Sequence, residues 1–266
     1  MDEIVKVIPA TSCPEAWVYG AEHLLSCDGN ERYNLTLAVD SPFELADDDK
    51  AVCEAVDDFL VDHDQSPLST VAGTIFPANH YLRGGKEGVY DGFPEDFALA
   101  DKKSWGTYAM RMLRVQGKSG EINPLKEMVE KIQRRPQNGR SFYEQNVSDM
   151  NADLAIYHPW EDYRRGLGQP CLSHLSFKIY PGEKLSLTVM YRSHYYTTKA
   201  MGNLIGLSQL QYFVAKEAGL GVGPLVCHSS HARIDTEGAR IGEIRKLVAT
   251  CREHLSKRSH QGGLDL

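Results

Sequence analysis

The chain has 266 residues, 42% hydrophobic and 24% charged, with a formal net charge of -7. That length can bury a large core, and a single domain over residues 1–266 is expected. An acidic chain lacks the dense basic surface needed to bind a nucleic acid polymer, which leaves small anions gripped by local arginines.

No stretch approaches the roughly 20 apolar residues that span a bilayer, so no membrane partner is expected. The start, Met1-Asp2-Glu3, has neither the basic region nor the apolar core of a signal peptide, and the expected compartment is cytoplasmic. Six cysteines, at 13, 27, 53, 171, 227 and 251, form no CxxC pair and read as reduced thiols, most of them buried.

Along the chain, Glu15 to Cys27 predicts a helix with Trp17, Ala21 and Leu24 on one side, and Tyr33 to Val39 alternates as a strand. Asp47-Asp48-Asp49 places acids where a helix dipole favours them, ahead of Val52, Val56 and Leu60 at helical spacing. A further helix is predicted over Thr70 to Leu82. Gly84 to Lys103, rich in Gly, Asp and aromatics, reads as a long loop. Pro124 to Arg135 predicts a helix that stops at Pro136. Asn151 to Gln169 reads as an irregular connection.

The last third is the most regular. Ser173 to Tyr180 and Leu185 to Tyr191 alternate on either side of Pro181-Gly182, which predicts a β-hairpin. Asn203 to Lys216 predicts a helix, Val222 to Val226 a short strand, and Thr236 a cap for a final helix striped with Ile244, Val248, Cys251 and Leu255. Helices mix with antiparallel strands without regular β-α-β alternation, so the expected class is α+β.

One stretch carries chemistry. Cys171 follows Pro170 at the entry to the first hairpin strand, and Arg192-Ser193 ends the second. Pairing brings those ends together, and a guanidinium beside a thiol favours the nucleophilic thiolate. Cys227, His228 and His231 are too few and too close in sequence for a zinc site, so no metal is expected; they read as the exit of a strand. His228 and His231 are taken instead as candidates to line a pocket.

From Pro170 to Asp235 the chain resembles the thymidylate synthase superfamily, pyrimidine hydroxymethylases included. The motif is a Pro-Cys dipeptide, a strand, a turn, a strand ending Arg-Ser, then an Asn in a long apolar helix, here PCLSHLSFKIYPGEKLSLTVMYRSHYYTTKAMGNLIGLSQLQYFVAKEAG. Weaker echoes are KEMVEKIQRRPQNGR and the segment Trp105 to Tyr108.

The resemblance implies a thymidylate synthase-like mixed twisted sheet flanked by helices and a homodimer formed through that sheet. It implies a pyrimidine nucleotide as substrate and 5,10-methylenetetrahydrofolate as one-carbon donor. Cys171 would add to C6 of the ring. Arg192, Ser193 and a partner subunit's Arg140 would hold the phosphate, and Asn203 would read the base edge. Tyr108 falls in the second echo, and Arg233 stands at the sugar position. The family's catalytic Glu is missing: its place reads Ala72-Gly73-Thr74-Ile75-Phe76. Glu144, Asp149, Asp153, His158 and Asp162 are candidate replacements. The implied activity is methylation or hydroxymethylation at C5, in a modified-nucleotide or nucleoside natural-product pathway. The alternatives are a folate-independent reaction using the same thiol addition, and a non-catalytic nucleotide-binding homologue.

Overall fold

The alternating run from Leu172 to Tyr191 forms two of the central strands of a mixed sheet. The computed structural model describes residues 4–99, 106–117, 120–134, 153–156, 170–180 and 182–261. The strands are β1 (Lys6–Ala10), β2 (Glu31–Val39), β3 (Val115–Gly117), β4 (Gly120–Ile122), β5 (Asp153–Ala155), β6 (Leu172–Tyr180), β7 (Lys184–Tyr191), β8 (His194–Tyr195) and β9 (Gly221–Arg233). Seven of them form one sheet in the order β1-β2-β9-β7-β6-β5, with β8 on β9, while β3 and β4 pair separately. Pairing is parallel for β1-β2, β7-β9 and β8-β9 and antiparallel elsewhere. With the helices packed against it, the architecture is α+β.

Two helices lie side by side on one face of the sheet: α1 (Cys13–Ser26) and α8, numbered in chain order below (Met201–Glu217). The hydroxyl of Ser12 accepts the Glu15 N–H to cap α1, and Pro14 sits in its first turn. Trp17, Ala21 and Leu24 are buried in the same core cluster as Leu35, Leu37, Leu187 and Val189. Buried Gln211 on α8 donates to the carbonyls of Leu185 (2.7 Å) and Gly223 (2.8 Å), which ties this helix to two neighbouring strands. Helix α2 (Asp47–Asp62) begins with the predicted acids, and buried Asp49 accepts from Ser12 Oγ (2.5 Å) and Ala46 N (3.0 Å). The opposite sheet face presents one cross-strand row of Val7, Thr36, His228, Met190 and His174, with Val7 52% and Met190 44% exposed.

Several expectations are corrected. The helix expected from Thr70 to Leu82 is two, α3 (Leu68–Gly73) and α4 (Ala78–Glu87), because Pro77 cannot continue the first. Where a loop was expected after Gly84, α4 runs on into a π turn at Gly88–Gly92 and then α5 (Phe93–Leu99). Short α6 (Tyr108–Leu113) and α7 (Pro124–Gln133) follow. In the segment read as irregular, Asp153–Ala155 pairs with β6 as a strand. The short strand at Val222 extends to Arg233, so Cys227 to His231 lie within it and not at its exit. The last helix, α9 (Ile241–Gln261), begins five residues beyond Thr236, and Glu243 caps it by accepting the Arg240 N–H at 2.7 Å. No described helix is long and apolar enough to cross a membrane.

Helix α3 reaches its place because α8 offers it glycines. A Cβ on Gly206 would stand 2.7 Å from the Ala72 carbonyl oxygen, and one on Gly202 would stand 2.6 Å from Val71 Cβ. Backbone cannot yield as a side-chain tip can. Gly206→Ala is therefore expected to cost about 1–3 kcal/mol in denaturant unfolding, as overpacking does.

Candidate active site

Pairing of Leu172 with Tyr191 sets the ends of β6 and β7 together. The Arg192 N–H donates to the Cys171 carbonyl (3.0 Å), and Arg192 Nε donates to the Pro170 carbonyl (2.9 Å). The Tyr108 hydroxyl, at the start of α6, accepts from the backbone N–H groups of Cys171 (3.1 Å) and Leu172 (3.4 Å). Both backbone polar groups of Cys171 are thus engaged, which fixes the direction of its side chain.

The half-buried thiol opens into a cavity of about 320 Å³. Tyr108, Ser193 and Asn203 share the cavity with Cys171, as do Thr70 and Val71 of α3 and Thr74 just after it. Lys199 also lines it, from the π turn Tyr196–Ala200 that feeds α8. No Asp or Glu is among the described lining residues, so Lys199 gives the cavity a positive character.

Burial pushes the Cys171 thiol above its ordinary value of 9.0, and the Arg192 guanidinium works against that rise. Tyr108 is pushed up to about 12, first by burial and then by the neighbouring Cys171, so its hydroxyl stays neutral. His194 is fully buried, which pushes it down to about 3 and keeps its imidazole neutral. Its ring stacks on Tyr191 at 4.1 Å, its Nδ1 lies 3.0 Å from Ser229 Oγ, and its Nε2 lies 3.1 Å from Asn203 Nδ2.

No family model matches the chain. A curated protein of Methanosarcina barkeri (strain Fusaro / DSM 804), named "Putative thymidylate synthase", is 28% identical to it over 128 residues. The match covers 48% of this chain and 52% of that protein, so the chain spans about half the length of this relative.

The remaining candidates lie apart from the cavity. Arg192 is exposed, with its charge felt at Cys171 but its side chain outside the cavity wall. His228 is hydrogen-bonded to Thr36 Oγ1 (2.9 Å) within the outer row of the sheet. His231 pairs with Glu31 (3.1 Å) and stacks on Tyr33. Arg233 lies over the Tyr195 ring and donates to its hydroxyl (2.8 Å), so it meets the cavity only through Tyr195. Arg140 lies outside the described residues, as do Glu144, Asp149, His158, Asp162 and the side chain of Asp153.

Asp235, two residues past Arg233, is buried and accepts from Thr197 N (2.8 Å), Thr198 N (3.2 Å) and Thr198 Oγ1 (2.6 Å). It anchors the turn that carries Lys199 and leads to Asn203. Asp235→Ala removes a charged acceptor and strands buried donors. A loss of about 2–3 kcal/mol is expected, read as a lower denaturant midpoint with unchanged slope.

Ser66, Thr70, Val71 and Thr74, and His194, Tyr195 and Lys199, were not anticipated as cavity walls. For the last three a signal existed: they lie between Ser193 and Asn203, so any pocket using both ends must be walled by the chain between them.

Proposed function

We propose that this chain is a pyrimidine nucleotide C5 one-carbon transferase of the thymidylate synthase superfamily, folded as one thymidylate synthase-like domain and working as a homodimer. The observation that carries this reading is the convergence of Cys171, Ser193 and Asn203 on one cavity. The partial match to a protein bearing the thymidylate synthase name supports a related nucleotide-modifying enzyme.

The Cys171 thiolate forms a bond to ring C6, and the C5–C6 π electrons move to C5, where the C4 carbonyl delocalises them. C5 then attacks a one-carbon electrophile. Loss of the C5 proton and expulsion of the thiolate restore the double bond. Asn203 reads the polar edge of the base with an amide that both donates and accepts. Ser193 and Lys199 receive the anionic end of the nucleotide, joined by Arg192 at the mouth and by Arg140 of the partner subunit.

5,10-Methylenetetrahydrofolate is the donor by analogy. A cavity of about 320 Å³ is at the small end of ligand pockets and takes one heterocycle with its sugar. The described walls do not fit a folate-sized ligand beside it, and no step is routed through one. That same volume favours a second reading, in which thiol addition activates the ring for a folate-independent reaction.

Release of tritium from C5-labelled uracil and cytosine nucleotides tests both readings. Release that requires folate supports one-carbon transfer, and release without it supports the second. Absence of release under every condition would remove the enzymatic readings and leave a nucleotide-binding protein.

A further inference from the structure

We propose that His194 is a positioning residue that fixes the amide of Asn203 in one orientation and so makes the site discriminate between pyrimidine bases. An Asn side chain is nearly symmetric in shape but not in chemistry. Rotated one way, its oxygen and N–H match the N3–H and C4 carbonyl of uracil. Flipped, the same two groups match the amino group and N3 of cytosine. An amide free to flip therefore accepts either base.

Here a flip is coupled to the ring of His194 and the hydroxyl of Ser229. Asn203 Nδ2 can only donate, so the 3.1 Å contact to His194 Nε2 makes that nitrogen the acceptor. Nδ1 then carries the ring proton and donates to Ser229 Oγ at 3.0 Å. Flipping the amide would require the buried ring to move its proton from Nδ1 to Nε2 and the Ser229 hydroxyl to turn from acceptor to donor in the same event. The imidazole cannot turn away, because it lies flat on Tyr191 with an interplanar angle of 3° and is 1% exposed. Asn203 Oδ1 has no hydrogen-bond partner among the described residues and stands in the cavity wall. The chain Ser229–His194–Asn203 thus transmits the rigidity of β9 to the atom that meets the ligand. It rests on the nucleotide reading above for the identity of that ligand.

Two measurements test it. In nitrogen-15 spectra of the wild-type protein without ligand, His194 is expected to show Nδ1 protonated and Nε2 unprotonated. A protonated Nε2 would overturn the proposal whatever the ligand proves to be. Affinities for deoxyuridine and deoxycytidine monophosphates are then compared. His194→Phe keeps a flat ring on Tyr191 and removes both hydrogen bonds, so the ratio of the two affinities is expected to fall at least tenfold. His194→Gln, which can still accept from Asn203 through its amide oxygen, is expected to keep most of the ratio. A purely structural histidine would lower both affinities together and leave the ratio unchanged, and that result overturns the assignment, as does a wild-type protein that binds both equally. If the wild type binds neither nucleotide, the functional reading falls, and the nitrogen spectra alone decide whether His194 fixes the amide.

Discussion

Serine in place of Cys171 is expected to cut turnover to below about a thousandth of wild type while nucleotide affinity stays within about threefold. In the proposed reaction the sulfur forms the bond to C6, and a serine hydroxyl is far less acidic than a thiol; no carboxylate is among the described residues lining the cavity, and His194 is already committed to Asn203 and Ser229. In the proposed site binding is supplied elsewhere, by Ser193, Lys199, Asn203 and the arginines. Tritium release and calorimetric titration of the same variant separate the two effects. Undiminished release from Cys171→Ser would end covalent catalysis.

The acid–base state of that thiol adds a second readout. Burial raises its pKa above 9.0, with Arg192 opposing the rise, so the reactive thiolate is the minority form at neutral pH. The rate follows the thiolate fraction and must climb with pH, by close to tenfold per unit below the pKa. Arg192→Ala removes a charge that lowers the thiol's pKa, so the climb moves to higher pH. A profile of kcat/KM that is flat from about pH 7 to 9 would mean that thiolate formation does not limit the step.

The hairpin was legible because strict alternation on both sides of Pro181-Gly182 leaves one register that buries Leu185, Leu187, Val189 and Tyr191, all at most 1% exposed. That register alone puts Arg192 beside Cys171. Other elements hid for physical reasons. Strand β9 carries Cys227 and Ser229 toward the core and Val226 and His228 away from it, so its inner face is partly polar and shows no apolar alternation. The stretch after Gly84 has the composition of a loop, yet Val89 and Tyr90 are buried within its π turn. The far wall of the cavity was illegible because it depends on tertiary contact. Thr70, Val71 and Thr74 face Cys171 only because Gly202 and Gly206 let α3 press against α8, and neither glycine marks a partner in sequence.

Mixing two inactive variants is expected to restore activity if the proposed dimer is correct. The row of Val7, Thr36, His228, Met190 and His174 crosses one face of the sheet, and its exposed apolar members, Val7 and Met190, suit a two-fold contact with a second copy. In such a dimer each site takes Cys171 from one subunit and Arg140 from the other. A Cys171→Ser subunit paired with an Arg140→Ala subunit then has one site with both defects and one with neither. At equal mixing half the dimers are hybrids, so recovery approaches about a quarter of wild-type activity from two preparations that have almost none. Met190→Lys sets like charges near each other across the two-fold contact, and it should yield monomers by sedimentation and abolish the recovery. Hybrids that form but stay inactive would place Arg140 in its own subunit's site. A wild-type chain that sediments as a monomer would remove the sheet-face dimer altogether.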